Sequence, residues 1–384
     1  MTKRTRLAAA LLLGLTAAAW GQRGSPKDAG AYIARGREYY QKGMYDRAIR
    51  DFDAALKLDP GHAGAYNDRG TAYAGKGMHD RAIEDFTAVL KLDPNYTPAY
   101  GNRGVLYVIK GMYDEAIRDF DAALRLDPGH AGAYNDRGTA YAGKRMFDRA
   151  IEDFNAALKI NLAYADAYGN RGAAYQRKGM PDQALKDFDA ALTCDPAYAP
   201  ARNNRGLAYA QKGMFDKAIE DFDALLKQNP KDAGAYLNRG AVYIRKELPD
   251  KAIKDFDAVL KLDPRNAEAY LYRGVAYTGK GLYDRAVRDF SAALRIDPNN
   301  AMSYTCRGIA YADKDLYDKA IEDFDAALRL DPNNTLAFFN RGVAYTGKMM
   351  FDRAVEDFNA ILKLDPGNAE AKMALEVIRT MRGR

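Results

Sequence analysis

An all-α solenoid of ten stacked helix hairpins is the fold this 384-residue chain predicts, and three features of its sequence predict it. The dipeptide Arg-Gly returns every 34 residues without a slip, placing glycines at 36, 70, 104, 138, 172, 206, 240, 274, 308 and 342. Each 34-residue unit carries two apolar stripes at helical spacing. A proline closes nine of the ten units. Units this short cannot bury an apolar face alone and must stack on their neighbours.

The N-terminus opens with Lys3, Arg4 and Arg6, followed by an apolar run from Leu7 to Trp20 and small residues. This pattern predicts a secretory signal peptide over residues 1–21, cleaved after Ala19 or Gly21. The run is shorter than the roughly 20 residues that span a bilayer, so an uncleaved anchor is the alternative. Export to the periplasm or the extracellular space is the expectation. Residues 22–28 form a polar linker ending in Asp28, a good N-cap. Ten repeats fill 29–368, and residues 369–384 supply a closing helix and tail.

With Ala29 as repeat position 1, position 4 is Tyr or Phe in nine units, Arg202 being the exception. Position 8 is Gly and position 11 is Tyr throughout. These spacings put all three on one stripe of a first helix, and a glycine costing about 1 kcal/mol in a helix implies close packing there. A turn of the type Lys-Gly-Met-Tyr-Asp follows, and its Asp at position 18 suits the start of a second helix. That helix repeats Ala, Phe and Leu at positions 20, 24 and 28. Pro at position 32 ends it. Leu162 replaces this proline once, which predicts a looser fourth turn.

The set of aromatic, Gly, Tyr, Ala, Phe and Pro at positions 4, 8, 11, 20, 24 and 32 resembles the tetratricopeptide repeat family over about nine-tenths of the chain. The resemblance implies a right-handed superhelix whose first helices line a groove for proteins or peptides. Within the chain, residues 43–86 and 111–154 differ at only four of 44 positions, so two repeats have been copied at a distance of 68.

Positions 2, 6, 9 and 13 lie nearly opposite the packed stripe of the first helix. Position 6 holds Asp68, Asn102, Asp136, Asn170, Asn204, Asn238, Tyr272 and Asn340. A primary amide donates and accepts at once, so such a ladder can hold extended peptide backbone without reading its side chains. This is similar to the Asn-ladder, peptide-binding type of the family. The alternative is a solvated helix surface. Leu237, Leu271, Val275, Ile309, Phe339 and Val343, with Met302 and Leu336, add apolar character toward the C-terminal half. A polar N-terminal groove grading into an apolar C-terminal one is expected.

Arg at position 7 and Asp at position 23 recur in all ten units, both flanking packed stripes. They predict ion pairs inside the scaffold, such as Arg69 with Asp85 or with the neighbouring Asp51. No nucleophile–base pair, phosphate loop or metal-ligand spacing accompanies His62, His79, His130, Cys194 or Cys306, so neither catalysis, a cofactor nor a metal is implied. The net charge of +6 falls to +3 without the three basic residues of the leader, too mild for nucleic acid. Positions 2 and 5 lack Lys and position 9 lacks Asn, which departs from the carboxylate-clamp type. The function expected is an envelope scaffold that binds a peptide or partner protein in its groove. The alternative is an assembly component acting through its convex faces. Membrane contact is expected only through an uncleaved leader.

Overall fold

The computed structural model describes residues 28–382, so the leader predicted over 1–21 lies outside the described residues. Those residues hold twenty-one helices and no strand. Ten hairpins pair a first helix of 12 or 13 residues with a second helix of 14, and a last helix, Ala369–Arg382, stands alone. The chain divides into two units, 28–174 and 175–382. In each, a first helix packs on its own second helix, and that second helix packs on the first helix of the following hairpin. Within each unit, neighbouring first helices also meet, from the first to the fourth hairpin and from the sixth to the tenth, so that there the first helices form one layer and the second helices another.

Sequence explains the boundaries. Asp28, Asp232, Asn266, Asn300 and Asn334 accept the backbone N–H three residues on and cap their first helices. His62 and His130 do the same through Nδ1, at 3.0 Å, which gives these duplicated histidines a structural role. Each first helix ends in paired backbone bonds across its last turn, as from Gly77 to Ala74 and from Met78 to Tyr73. This ending puts position 15 in the left-handed region, at φ 69° to 77° for six glycines and 57° to 60° for Arg145, Glu247, Asp315 and Met349.

Met349 is 78 % exposed, so its side chain gives little in return for that conformation. A left-handed L-residue costs about 1–2 kcal/mol, against about 0.5–1 for the extra chain entropy of glycine. Met349→Gly should therefore raise stability by about 0.5–1 kcal/mol. A urea midpoint at or below that of the parent protein would refute this.

Second helices end two residues before position 32, where the Asp at position 31 accepts the backbone N–H two residues on, as Asp59 does from Gly61. The looser fourth turn expected from Leu162 is not found. Asn161 takes over, accepting from Ala163 at 3.0 Å, and the helix closes with Asn161 bonded to Ala157. An Asx turn needs the side-chain oxygen before the proline position, not the proline itself.

The core is a repeated contact between position 8 and position 24. Phe52, Phe86, Phe120 and Phe154 in the first unit and Phe222, Phe256, Phe290, Phe324 and Phe358 in the second are at most 1 % exposed. A Cβ placed on Gly36, Gly104, Gly138, Gly240, Gly274, Gly308 or Gly342 would lie 2.6–2.8 Å from the phenyl ring beneath it. The ring therefore occupies the space a side chain would need. Fully buried alanines at positions 3 and 20 let the helices approach around it, and positions 27 and 28 complete the second-helix face. The final helix buries Ala371 and Ile378 against Phe358 and Ile361.

Candidate functional site

The buried aspartates at position 23 fix the roll of the first helices. Arg69 forms a fork to Asp85 (Nε–Oδ2 2.8 Å, Nη2–Oδ1 2.6 Å) and sends its remaining Nη1 to Asp53 of the preceding hairpin at 2.6 Å. Its guanidinium also lies 5.3 Å and 5.9 Å from the centroids of Tyr66 and Tyr73. The predicted pair with Asp85 is thus present, but the neighbouring partner is Asp53 at position 25, not Asp51. Asp51 is taken by its own Arg35 at 2.7 Å. Arg137, Arg205, Arg239, Arg273 and Arg341 repeat the three-point bridge to two carboxylates. The bonds Arg69 donates to Asp85 hold it above the ordinary arginine pKa, while burial pushes Asp85 up.

A second inter-hairpin row, absent from the sequence expectations, joins Lys at position 14 to the Asp at position 18 of the preceding unit. Lys144–Asp114 and Lys246–Asp216 are both 2.5 Å, and Lys76–Asp46 and Lys280–Asp250 follow the same pattern at the surface. The lysine lowers the carboxyl pKa of Asp80, Asp182 and Asp284.

Position 6 lies about 100° round the helix from the inward-turned position 7, and Asp68, Asn102, Asp136, Asn170, Asn204, Asn238, Tyr272 and Asn340 are all half-buried. Several are tied to each other. Asn102, Asn170 and Asn238 donate to Asn67, Asn135 and Asn203 at 3.4, 2.9 and 2.9 Å, each time from one first helix to the preceding one. Asn135 passes its own N–H to Asp136 at 3.1 Å, and Asn203 reaches Asn204 at 3.5 Å. Asn340 instead donates to the Leu336 carbonyl at 2.8 Å. Asp68 is bound by Arg37, Nε–Oδ2 2.6 Å. Each donating amide keeps one hydrogen and its carbonyl oxygen. The position-5 asparagines were not anticipated, although Asn67, Gly101, Asn135, Gly169 and Asn203 alternate with the 68-residue period of the duplication.

The apolar set divides. Leu271 is 8 % exposed and sits in a core with Phe290, Ala293 and Ala310, so it offers nothing to a groove. Leu237, Val275 and Ile309 are half-buried against the same type of core. Tyr272 stacks on Phe256 at 5.9 Å and Phe339 meets Phe358 edge-on at 5.6 Å. Val343, Met302 and Leu336 remain exposed, at 45, 51 and 46 %. Val105 and Ile109 in the first unit are equally bare, at 39 and 47 %, so exposed apolar residues are not confined to the C-terminal half. Cys306, also at position 6, is half-buried, and burial pushes its thiol up to about 11.

Three tetratricopeptide repeat models match this chain nearly without a break from 33 to 334: one over 33–97 and 237–301, one over 97–130, 165–198, 199–232 and 301–334, and one over 131–164. The chain belongs to the tetratricopeptide repeat family. Among solved structures, a tetratricopeptide repeat protein from Parabacteroides merdae is similar with 22 % identity and a TM-score of 0.55, over 65 % of this chain and 98 % of that one. The Cut9–Hcn1 hetero-tetramer of the APC/C is similar over 91 % of this chain and 90 % of its own, with 16 % identity and a TM-score of 0.55. No curated protein matches by sequence. As a tetratricopeptide repeat scaffold the chain is suited to protein–protein interaction. Among the described residues no helix is long and apolar enough to cross a membrane, and no group of three or more His, Cys, Asp or Glu residues is placed to hold a metal.

Proposed function

We propose that this chain is a non-catalytic scaffold of the cell envelope that holds an extended peptide, or an extended segment of a partner protein, along the position-6 face of its first helices. The observation that carries this reading is the row of half-buried amides tied from one first helix to the preceding one. Those bonds hold the amides in place before a ligand arrives, so less ordering is needed on binding. Each amide keeps a donor and an acceptor, the pair a peptide unit requires. The exposed Val105, Met302 and Val343 lie on the same helical stripe and offer apolar contact. The export part of the proposal is supported by the basic-then-apolar order of residues 1–21.

Each peptide hydrogen bond nets about 0.5–1.5 kcal/mol, so changing Asn102, Asn170, Asn204 and Asn238 together to Ala should weaken capture of envelope peptides about 30-fold or more. Capture by immobilised protein, read by mass spectrometry, checks this. Unchanged capture would reject the position-6 face and leave the second-helix faces as the docking surface. N-terminal sequencing of the protein from fractionated cells checks export, which an intact Met1 on protein recovered from the cytosol would refute.

A further inference from the structure

The internal duplication supplies its own control. Asp68 and Asp136 are the same residue in two copies of one segment, with the same N-cap His directly before the helix and the same flanking Asn and Arg. In the first copy the carboxylate is neutralised by Arg37, which lies 31 residues earlier at position 9 of the preceding repeat. The equivalent position before Asp136 is Val105, outside the copied segment and 39 % exposed. Among the described residues Asp136 has no ion-pair partner, and its hydrogen bond comes from Asn135 at 3.1 Å. Burial raises its pKa; His130 works against that and Asp166 adds to it. Tyr164 is pushed up to about 12, first by burial and then by Asp136 and Asp166. One copy thus holds a guanidinium on its carboxylate. The other presents the same carboxylate, beside a second one, behind a short side chain.

We propose that Asp136 is a recognition point for an arginine side chain of the bound peptide, whose guanidinium takes the place at Asp136 that Arg37 takes at Asp68. The ligand class is therefore an extended peptide with an arginine, its backbone on the amides and its side chain entering over Val105. This rests on the peptide-binding reading above and adds to it a side-chain preference that amides alone do not give. A carboxylate accepts a guanidinium through two parallel bonds, so Lys is a poorer fit and neutral citrulline poorer still.

The test uses the full mature chain and two fluorescein-labelled eleven-residue peptides of Gly, Ala and Ser, one with a central Arg and one with citrulline in its place. Fluorescence polarisation should show the Arg peptide binding about tenfold or more tightly. The preference should vanish in Asp136→Asn, and in Val105→Arg, where the new side chain fills the place. Val105→Arg should also melt higher than Val105→Arg with Asp136→Asn, which shows that a guanidinium from that position reaches the carboxylate. Equal affinity for the two peptides, or a preference that survives Asp136→Asn, overturns the assignment. If binding is indifferent to citrulline yet lost on changing the four asparagines to Ala, only the Asp136 assignment falls. If the parent protein binds neither peptide, both readings fall.

Discussion

Arg239→Met is expected to cost about 3–5 kcal/mol, while Arg239→Met combined with Asp255→Leu should recover most of that loss. Asp255 is 4 % exposed and takes both bonds of the Arg239 fork, at 2.8 and 2.6 Å. Removing the guanidinium strands a buried carboxylate, whereas removing both groups leaves an apolar contact between helices that already pack closely. Met keeps an unbranched apolar stem while removing the guanidinium, which lies 5.5 and 5.8 Å from the ring centroids of Tyr236 and Tyr243. Asp223, the third partner, is half exposed and returns to water at little cost. The single variant also has a pH signature. Burial raises the Asp255 pKa above its unfolded value. Such a carboxyl contributes stability below the unfolded pKa and loses it as pH rises through the folded value. Without Arg239 to oppose burial, the deficit should be largest at neutral pH and narrow in acid. Urea titrations followed by far-UV circular dichroism at several pH values would measure this; a single variant no weaker than the double one contradicts it.

Phe324→Ala should be as severe, about 3–5 kcal/mol, because the ring is fully buried and the backbone around it is held by two helices. More informative is the sign of a second change. A Cβ on Gly308 would lie 2.6 Å from Phe324 Cε1. In the parent protein Gly308→Ala forces the ring to shift, at about 1–3 kcal/mol, which exceeds the gain of up to about 1 kcal/mol from helix propensity. With Phe324 already Ala, the obstacle is gone and Gly308→Ala should stabilise. Hydrogen exchange in the ninth repeat, beside the global unfolding curve, would locate the effect. Additive costs in the two backgrounds would show that glycine is there for some other reason.

How far sequence reached depends on whether a feature sits within one hairpin or between two. Arg69 and Asp85 belong to the same hairpin, and period and helical angle sufficed to pair them; the same reasoning marked Gly308 as a close-packed position and Phe324 as part of a packed face, and the structure joins the two. Asp53 on Arg69 and Asp46 on Lys76 are contacts between hairpins, and they depend on how far one hairpin slides along the next, which helical angle does not contain. The same limit explains Leu271. Its position on the wheel borders the open stripe, but Ala310 from the next repeat joins the core that covers it. Asn135 and Asn203 were missed because position 5 varies along the chain, and its Asn–Gly alternation acquires meaning only when the following first helix is in place.

The third arm of each arginine also varies, and that variation grades the joints. Where position 25 is Asp, as at 53 or 257, neighbouring hairpins share a charged bond. The third arm of Arg103 goes to the hydroxyl of Thr87 at 2.9 Å, that of Arg171 to the amide oxygen of Asn155 at 2.5 Å, and that of Arg307 to the hydroxyl of Ser291 at 3.0 Å. A neutral acceptor is worth roughly half a charged one. Under a pull along the chain, parting would begin at these three seams, two in the first unit and one in the second, so that the protein yields in segments of more than one hairpin.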